Sequence, residues 1–267
     1  MSKEFEVKLP NRGAVIVQGS EAKNFLQGLI TNDMGLLDSR PMIYGCLLSP
    51  QGKFQHDFFI HRKGPEVFFL DCEGGERASS LAKKLTMFKL RSDVSVDCMT
   101  DINVIAGTGT KPDSAMIDPR LEDLGWRDYS ETLSAKDEGH IYEQHRITLG
   151  VPDGSKDMIQ DKSTIIESWL HKLNAVSFKK GCYMGQELVA RMYYRGLAKK
   201  HLYPVKMSKE HLPDPGEEIK TREGKLAGEM RSSSGHYGIA LIKDKHFDTL
   251  QEHGPLKPYR ADWMGDQ

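Results

Sequence analysis

The apolar residues of this 267-residue chain switch between strand-like runs and helical stripes without settling into a strict βαβα alternation. That switching constrains the fold most, because a doubly wound parallel sheet needs the alternation and an α+β arrangement does not. Residues 14–17 read as a strand, and Ser20 is placed to cap a helix with the stripe Ala22, Phe25, Leu26, Leu29 and Ile30. Residues 42–48 and 53–61 read as strands joined by Ser49-Pro50-Gln51-Gly52, where Pro and Gly suit a tight hairpin. A third strand is expected over 66–72. A second helix over 76–88 carries Ala78, Leu81, Ala82, Leu85 and Phe88 on one face. Short strands are expected at 94–96 and 104–106.

The middle of the chain, 111–163, is polar and turn-rich, with a short helix expected around 140–146. From His201 onward, strand-like runs at 201–207, 226–230 and 237–242 are separated by Pro213-Asp214-Pro215-Gly216 and Arg222-Glu223-Gly224. Short strands at regular spacing predict a small β-barrel, with a boundary near residue 200. Lys and Arg number 37 against 38 Asp and Glu, a formal net charge of −1, which argues against a globally basic nucleic-acid binder. No run of about 18 apolar residues suggests a membrane span. The first residues show neither a signal-peptide core nor an Arg-rich transit pattern, so a cytoplasmic protein with reduced cysteines is expected.

The stretch from Phe178 to Arg191 carries the most chemistry. Residues 174–178 read as a strand and 186–194 as a helix that Gly196 ends. Cys182 falls in a glycine-flanked turn before that helix, with Lys179 and Lys180 close in sequence. Ammonium groups and a helix N-terminus both favour thiolate, so this is where a low-pKa cysteine can arise. The competing reading is a buried cysteine acting as a small hydrophobe, which is how Cys46, Cys72 and Cys98 are read. Between Lys179 and Lys200 there are six Lys or Arg against one acid, Glu187. Such a segment attracts an anionic ligand or an RNA backbone, or is simply a solvated helix face. Histidine and cysteine spacing offers no metal site, and Gly107-Thr108-Gly109 lacks the Lys-Ser/Thr of a phosphate loop.

Lys180-Gly181-Cys182-Tyr183-Met184-Gly185-Gln186-Glu187-Leu188-Val189-Ala190-Arg191 resembles the signature of the YgfZ-type folate-binding proteins of iron–sulfur cluster maturation. These are relatives of the glycine-cleavage T-protein, an aminomethyltransferase. Phe25 through Asp33 resembles the family's N-terminal helix and turn, residues 44–57 its first hairpin, and 235–241 a strand of its C-terminal domain. The resemblance implies an α+β, three-domain cloverleaf around a central tetrahydrofolate hole, closed by a C-terminal β-barrel. The divisions expected here are 1–110 and 111–200 for the folate-binding part and 201–267 for the barrel.

The resemblance also implies a function: a tetrahydrofolate-binding accessory factor for assembly or repair of iron–sulfur enzymes, supporting tRNA methylthiolation indirectly. Its partners would be folate and iron–sulfur enzymes or assembly proteins, with direct tRNA contact a separate option. Cys182 and Asp57 are the residues assigned to chemistry, and Cys182 is expected close to the folate hole. Asn32, Asp33, Tyr44, Glu143, Arg146, Gly181, Gln186 and Arg191 are the implied folate contacts. The T-protein's acidic pair appears here as His56-Asp57, and Thr148 stands in the segment Arg146-Ile147-Thr148-Leu149-Gly150 where an acid is expected. Those departures favour the maturation branch over a true aminomethyltransferase, which is the alternative function.

Overall fold

The computed structural model describes residues 4–131, 133–207, 213–254 and 256–265. Its strands in chain order are β1 (Glu6–Lys8), β2 (Arg12–Gln18), β3 (Met42–Leu48), β4 (Phe54–Gly64), β5 (Val67–Glu73), β6 (Ser95–Met99), β7 (Ile105–Gly107), β8 (Met116–Ile117) and β9 (Trp126–Asp128), followed by β10 (Lys200–Lys206), β11 (Glu218–Lys220), β12 (Leu226–Ser234), β13 (Tyr237–Lys243) and β14 (Lys257–Pro258). The helices are α1 (Ala22–Leu29), α2 (Glu76–Lys89), α3 (Gly139–Thr148), α4 (Gln186–Arg195) and α5 (Phe247–His253). Three sheets form, ordered β3-β4-β5-β2-β6, β1-β7-β9-β8 and β11-β12-β13-β10-β14. Every strand pairing within them is antiparallel, which is the α+β outcome the missing alternation predicts.

The first sheet packs α1 and α2 on one face. Leu26, Ile30, Leu81 and Leu85 close over Val15, Val17, Ile60 and Leu70, all of them buried. Its other face meets the irregular segment after α3, where Tyr44, Phe54 and Phe59 join Ile165, Leu170 and Leu173 in one core. The expected hairpin forms between β3 and β4. The third sheet encloses Tyr203, Val205, Ile219, Met230 and Leu250. Among the described residues, no helix is long and apolar enough to cross a membrane.

Three local expectations are corrected. Residues 174–178 form no strand but run irregularly along the end of α1, because Thr31 and Asn32 take up their backbone groups. Ser20 does not cap α1; its hydroxyl donates to Asp93 at 2.7 Å, and Glu21 stands at the cap position. Cys46 and Cys72 are buried as expected, whereas Cys98 is exposed, on β6 at the edge of its sheet.

Candidate functional site

A cavity of about 120 Å³ opens between the first sheet, the small second sheet and α3. Asp57 and Phe59 of β4 line it together with Arg12, Arg120, Arg127 and Asp153. Its walls are charged, and the charges are matched. Asp71, with no exposure, accepts from Arg12 Nη2 at 2.6 Å, Arg127 Nη2 at 2.7 Å and the Tyr129 hydroxyl at 2.8 Å. Burial alone would push the Asp71 carboxyl up, but Arg12 and Arg127 outweigh it and hold it below its ordinary value. Arg120 pairs with Asp118 at 2.7 Å and donates to the Tyr142 hydroxyl at 2.6 Å. The Arg120 and Arg127 guanidinium carbons lie 4.7 and 4.0 Å from the centre of the Phe59 ring.

Asp57 stands apart from this pairing. Its Oδ2 accepts from the Tyr44 hydroxyl at 2.7 Å, and Gly154 packs so close that an added Cβ would lie 1.9 Å from Oδ1. Burial first, then the charge of Asp153, raises the Asp57 carboxyl above its ordinary value. Burial would also raise Asp153, but Arg146 and Lys156 outweigh it and bring that carboxyl down to about 2. The two carboxyls are thus pushed in opposite directions, Asp57 up and Asp153 down.

The missing acidic partner of the hairpin is thus supplied from elsewhere. His56 cannot take that part, since adjacent strand residues face opposite sides of the sheet. Its ring lies 3.4 Å from the Ser80 hydroxyl of α2, and burial holds it neutral with a pKa of about 3. Asp153 was not singled out from sequence because its proximity to Asp57 comes only from the fold. The Pro152-Asp153-Gly154 turn was the available signal.

Glu143 also lines the cavity and pairs with Lys156 at 2.7 Å. Arg146 lies behind it, fully buried and committed to Glu143 and, at 2.8 Å, to Asp157. Asn32 and Asp33 do not line the cavity. The Asn32 amide donates at 2.8 Å to the Tyr44 and Asn174 carbonyls, and Asp33 accepts from the backbone N–H of Gly35.

The signature segment forms a second region. None of Gly181, Cys182, Gln186 and Arg191 lines this cavity. The loop instead seats on the turn end of the β3–β4 hairpin. Gly185, at φ +82°, approaches so closely that an added Cβ would lie 2.6 Å from the Ser49 carbonyl oxygen. A Cβ on Gly52 would meet that of Leu188 at 2.6 Å, so the two turns mesh through their glycines. Lys180 is turned away from solvent. Its ammonium donates to the carbonyls of Gln27, Ile30 and Asn32 at 2.7, 2.8 and 2.8 Å.

Tyr183 is buried, and Met184 N–H donates to the Gly28 carbonyl at 3.2 Å. Between these anchors Cys182 is exposed. Beyond it, Phe178 stacks on Tyr193 with ring centres 4.1 Å apart, and Tyr193, Tyr194 and Leu197 are exposed beside Arg191 and Arg195. Among the described residues, no group of three or more His, Cys, Asp or Glu is placed to hold a metal ion.

The fold defines a class, the T-protein-like α+β fold carrying a CAF17-type C-terminal barrel. The structure of glycine cleavage system aminomethyltransferase T from Bartonella henselae superposes with a TM-score of 0.74, covering 91% of this chain and 79% of that one at 14% identity. Residues 199–266 match the family described as CAF17, C-terminal beta-barrel domain. The iron–sulfur cluster assembly factors IBA57 of Homo sapiens and Mus musculus, both mitochondrial, are 30% and 31% identical over 88% and 93% of this chain, which spans 76% and 79% of their lengths. A homologue in Mycosarcoma maydis is 35% identical over 78% of the chain, which spans 58% of that protein's length. The chain belongs to the IBA57 family of iron–sulfur cluster assembly factors. The expected cytoplasmic placement is corrected by these relatives, which are mitochondrial proteins.

Proposed function

We propose that this protein assists iron–sulfur cluster assembly by presenting the Cys182 thiol to a partner protein as a transient iron ligand. The observation that carries the reading is the contrast within one loop: the backbone around Cys182 is anchored on both sides while the side chain stays exposed. A thiol held this way suits ligation, because little order has to be imposed when a partner's cluster arrives. Tyr193, Tyr194 and Leu197 with the basic rim of α4 offer the partner an apolar centre and positive surroundings. Support for tRNA methylthiolation would then be indirect, through an iron–sulfur client. Replacing Cys182 by Ala should abolish activation of a client iron–sulfur enzyme without unfolding the protein; a fully active client would overturn the reading.

The finer YgfZ-type assignment, the division at 110 and 200 and the binding of a reduced folate belong to the same proposal. The donor set of the cavity fits a folate. Asp57 can face a ring nitrogen, while Arg12, Arg120, Arg127 and Lys156, each already paired with a carboxylate, give the cavity a positive surround. Bound there, a reduced folate would supply a carrier for a one-carbon unit. The Asp57–Asp153 pair keeps the aminomethyltransferase reading as the second choice, since it restores two carboxylates to the cavity. Turnover with a lipoylated carrier protein, lost in Asp57→Asn, would favour that choice.

A further inference from the structure

We infer that Lys180 is the positioning residue for Cys182, acting through the carbonyl end of α1. The inference rests on the reading of Cys182 as the functional thiol. An ammonium has three donors and no acceptor, and here three backbone oxygens accept from it: Gln27, Ile30 and Asn32. Two of these carbonyls flank the end of α1, where the last turn of any helix leaves oxygens without intrahelical partners and gathers partial negative charge. The same ammonium lies 5.1 Å from the centre of the Tyr183 ring, so it braces the loop on both sides of Gly181-Cys182.

Exposure of the intervening residues gives the clamp its importance. Gly181 meets nothing within 4 Å of where a Cβ would be, and Cys182 is exposed. Both residues are exposed, so their placement depends chiefly on what holds Lys180 and Met184. Both are held by α1: Lys180 through its ammonium, Met184 through its N–H on the Gly28 carbonyl at 3.2 Å. Thr31 continues the seam, accepting from Ser177 N–H at 3.0 Å and donating from its hydroxyl to the Ala175 carbonyl at 2.6 Å. The N-terminal segment that sequence reading assigned to folate contact is, on this geometry, the bed on which the cysteine loop lies.

An apolar side chain at position 180 would leave three carbonyls without their donor and release the loop from α1. The test compares four full-length proteins: wild type, Lys180→Met, Cys182→Ala and, as a destabilised control remote from the loop, Leu250→Ala in the barrel core. Two quantities are read. One is amide hydrogen exchange at Ser177 and Met184. The other is iron–sulfur occupancy, read as visible absorbance after anaerobic incubation with ferric iron, sulfide and glutathione.

Lys180→Met should speed exchange at both amides at least tenfold and lower occupancy to the level of Cys182→Ala. Leu250→Ala should lower the melting temperature while leaving both readings near wild type. Unchanged exchange in Lys180→Met, or an equal loss of occupancy in Leu250→Ala, overturns the positioning role. If Cys182→Ala keeps wild-type occupancy, the reading of the thiol fails instead, and the exchange data still decide whether Lys180 holds the loop.

Discussion

The central cavity and the Cys182 loop are both assembled from segments distant in sequence, yet they distribute their polar groups in opposite ways. In the cavity wall, side chains satisfy side chains: Arg12, Arg127 and Tyr129 converge on Asp71, and Arg120 takes Asp118. In the loop, backbone and a single ammonium satisfy backbone, and the Cys182 side chain is left outside. Each arrangement has its own physical consequence. Buried charges fix a rigid electrostatic setting whose loss is costly, because a guanidinium without its carboxylate remains buried and unpaired. A backbone-anchored loop can change its exposed side chain at little cost to the fold, which leaves that side chain available for chemistry with a partner.

The largest effect that would sharpen this contrast is expected at Asp71. Asp71→Ala leaves Arg12 and Arg127 without their shared carboxylate and should destabilise the protein by about 3–5 kcal/mol in urea denaturation. Hydrogen exchange at Met184 should stay protected in the surviving folded population, since the loop draws nothing from Asp71. A coupled loss there would break the separation.

Acid should act on both faces of the first sheet, at His56 beneath α2 and at His61 beside Phe69 and Tyr129. His56 and His61 are buried and held neutral, with pKa values of about 3 and about 4; burial is the main cause, aided by Arg77 and Lys84 for His56 and by Lys63 for His61. The unfolded chain protonates both near 6.5, so above that pH neither contributes to the pH dependence. As pH falls below 6.5, the unfolded state takes up protons that the folded state refuses, and stability is lost until the folded values are reached. Between pH 7.5 and 5 each should cost roughly 2 kcal/mol. Denaturation at the two pH values, repeated with both histidines replaced by Gln, checks this; an unchanged pH slope in the double variant would contradict it.

Gly154→Ala is expected to cost about 1–3 kcal/mol, because its Cβ would overlap Asp57 Oδ1 and must displace the Pro152-Asp153-Gly154 turn. The same displacement should weaken tetrahydrofolate binding while leaving reactivity at Cys182 untouched. The smallest effect on the fold is expected for Tyr194→Ala. This ring is 70% exposed, and its loss should change stability by no more than about 0.5 kcal/mol while weakening association with an iron–sulfur partner.

Elements whose periodicity comes from one buried face were legible in the sequence. The stripe of α2 through Ala78, Leu81, Ala82 and Leu85 and the run of β3 lie where the apolar pattern places them, within a residue or two at the ends. The segment at 174–178 departs from a strand because Thr31 and Asn32 claim its backbone, contacts 144 and 142 residues away in sequence. Lys180 looked like a cation for the thiol, since sequence proximity says nothing about which way a side chain turns. Asp153 escaped notice for the complementary reason: its relation to Asp57 exists only across the cavity. Pairing between distant segments, which residue types alone do not reveal, decides which polar groups are taken up and which stay exposed.

The most direct test of the claim that cavity and thiol loop are separate is equilibrium binding of tetrahydrofolate under anaerobic conditions, with wild type and Cys182→Ala side by side. Binding to both with the same affinity, within about twofold, is the predicted result, given that no residue of the signature loop lines the cavity. Loss of binding in Cys182→Ala would contradict the separation, and absence of binding in both would remove folate from the account.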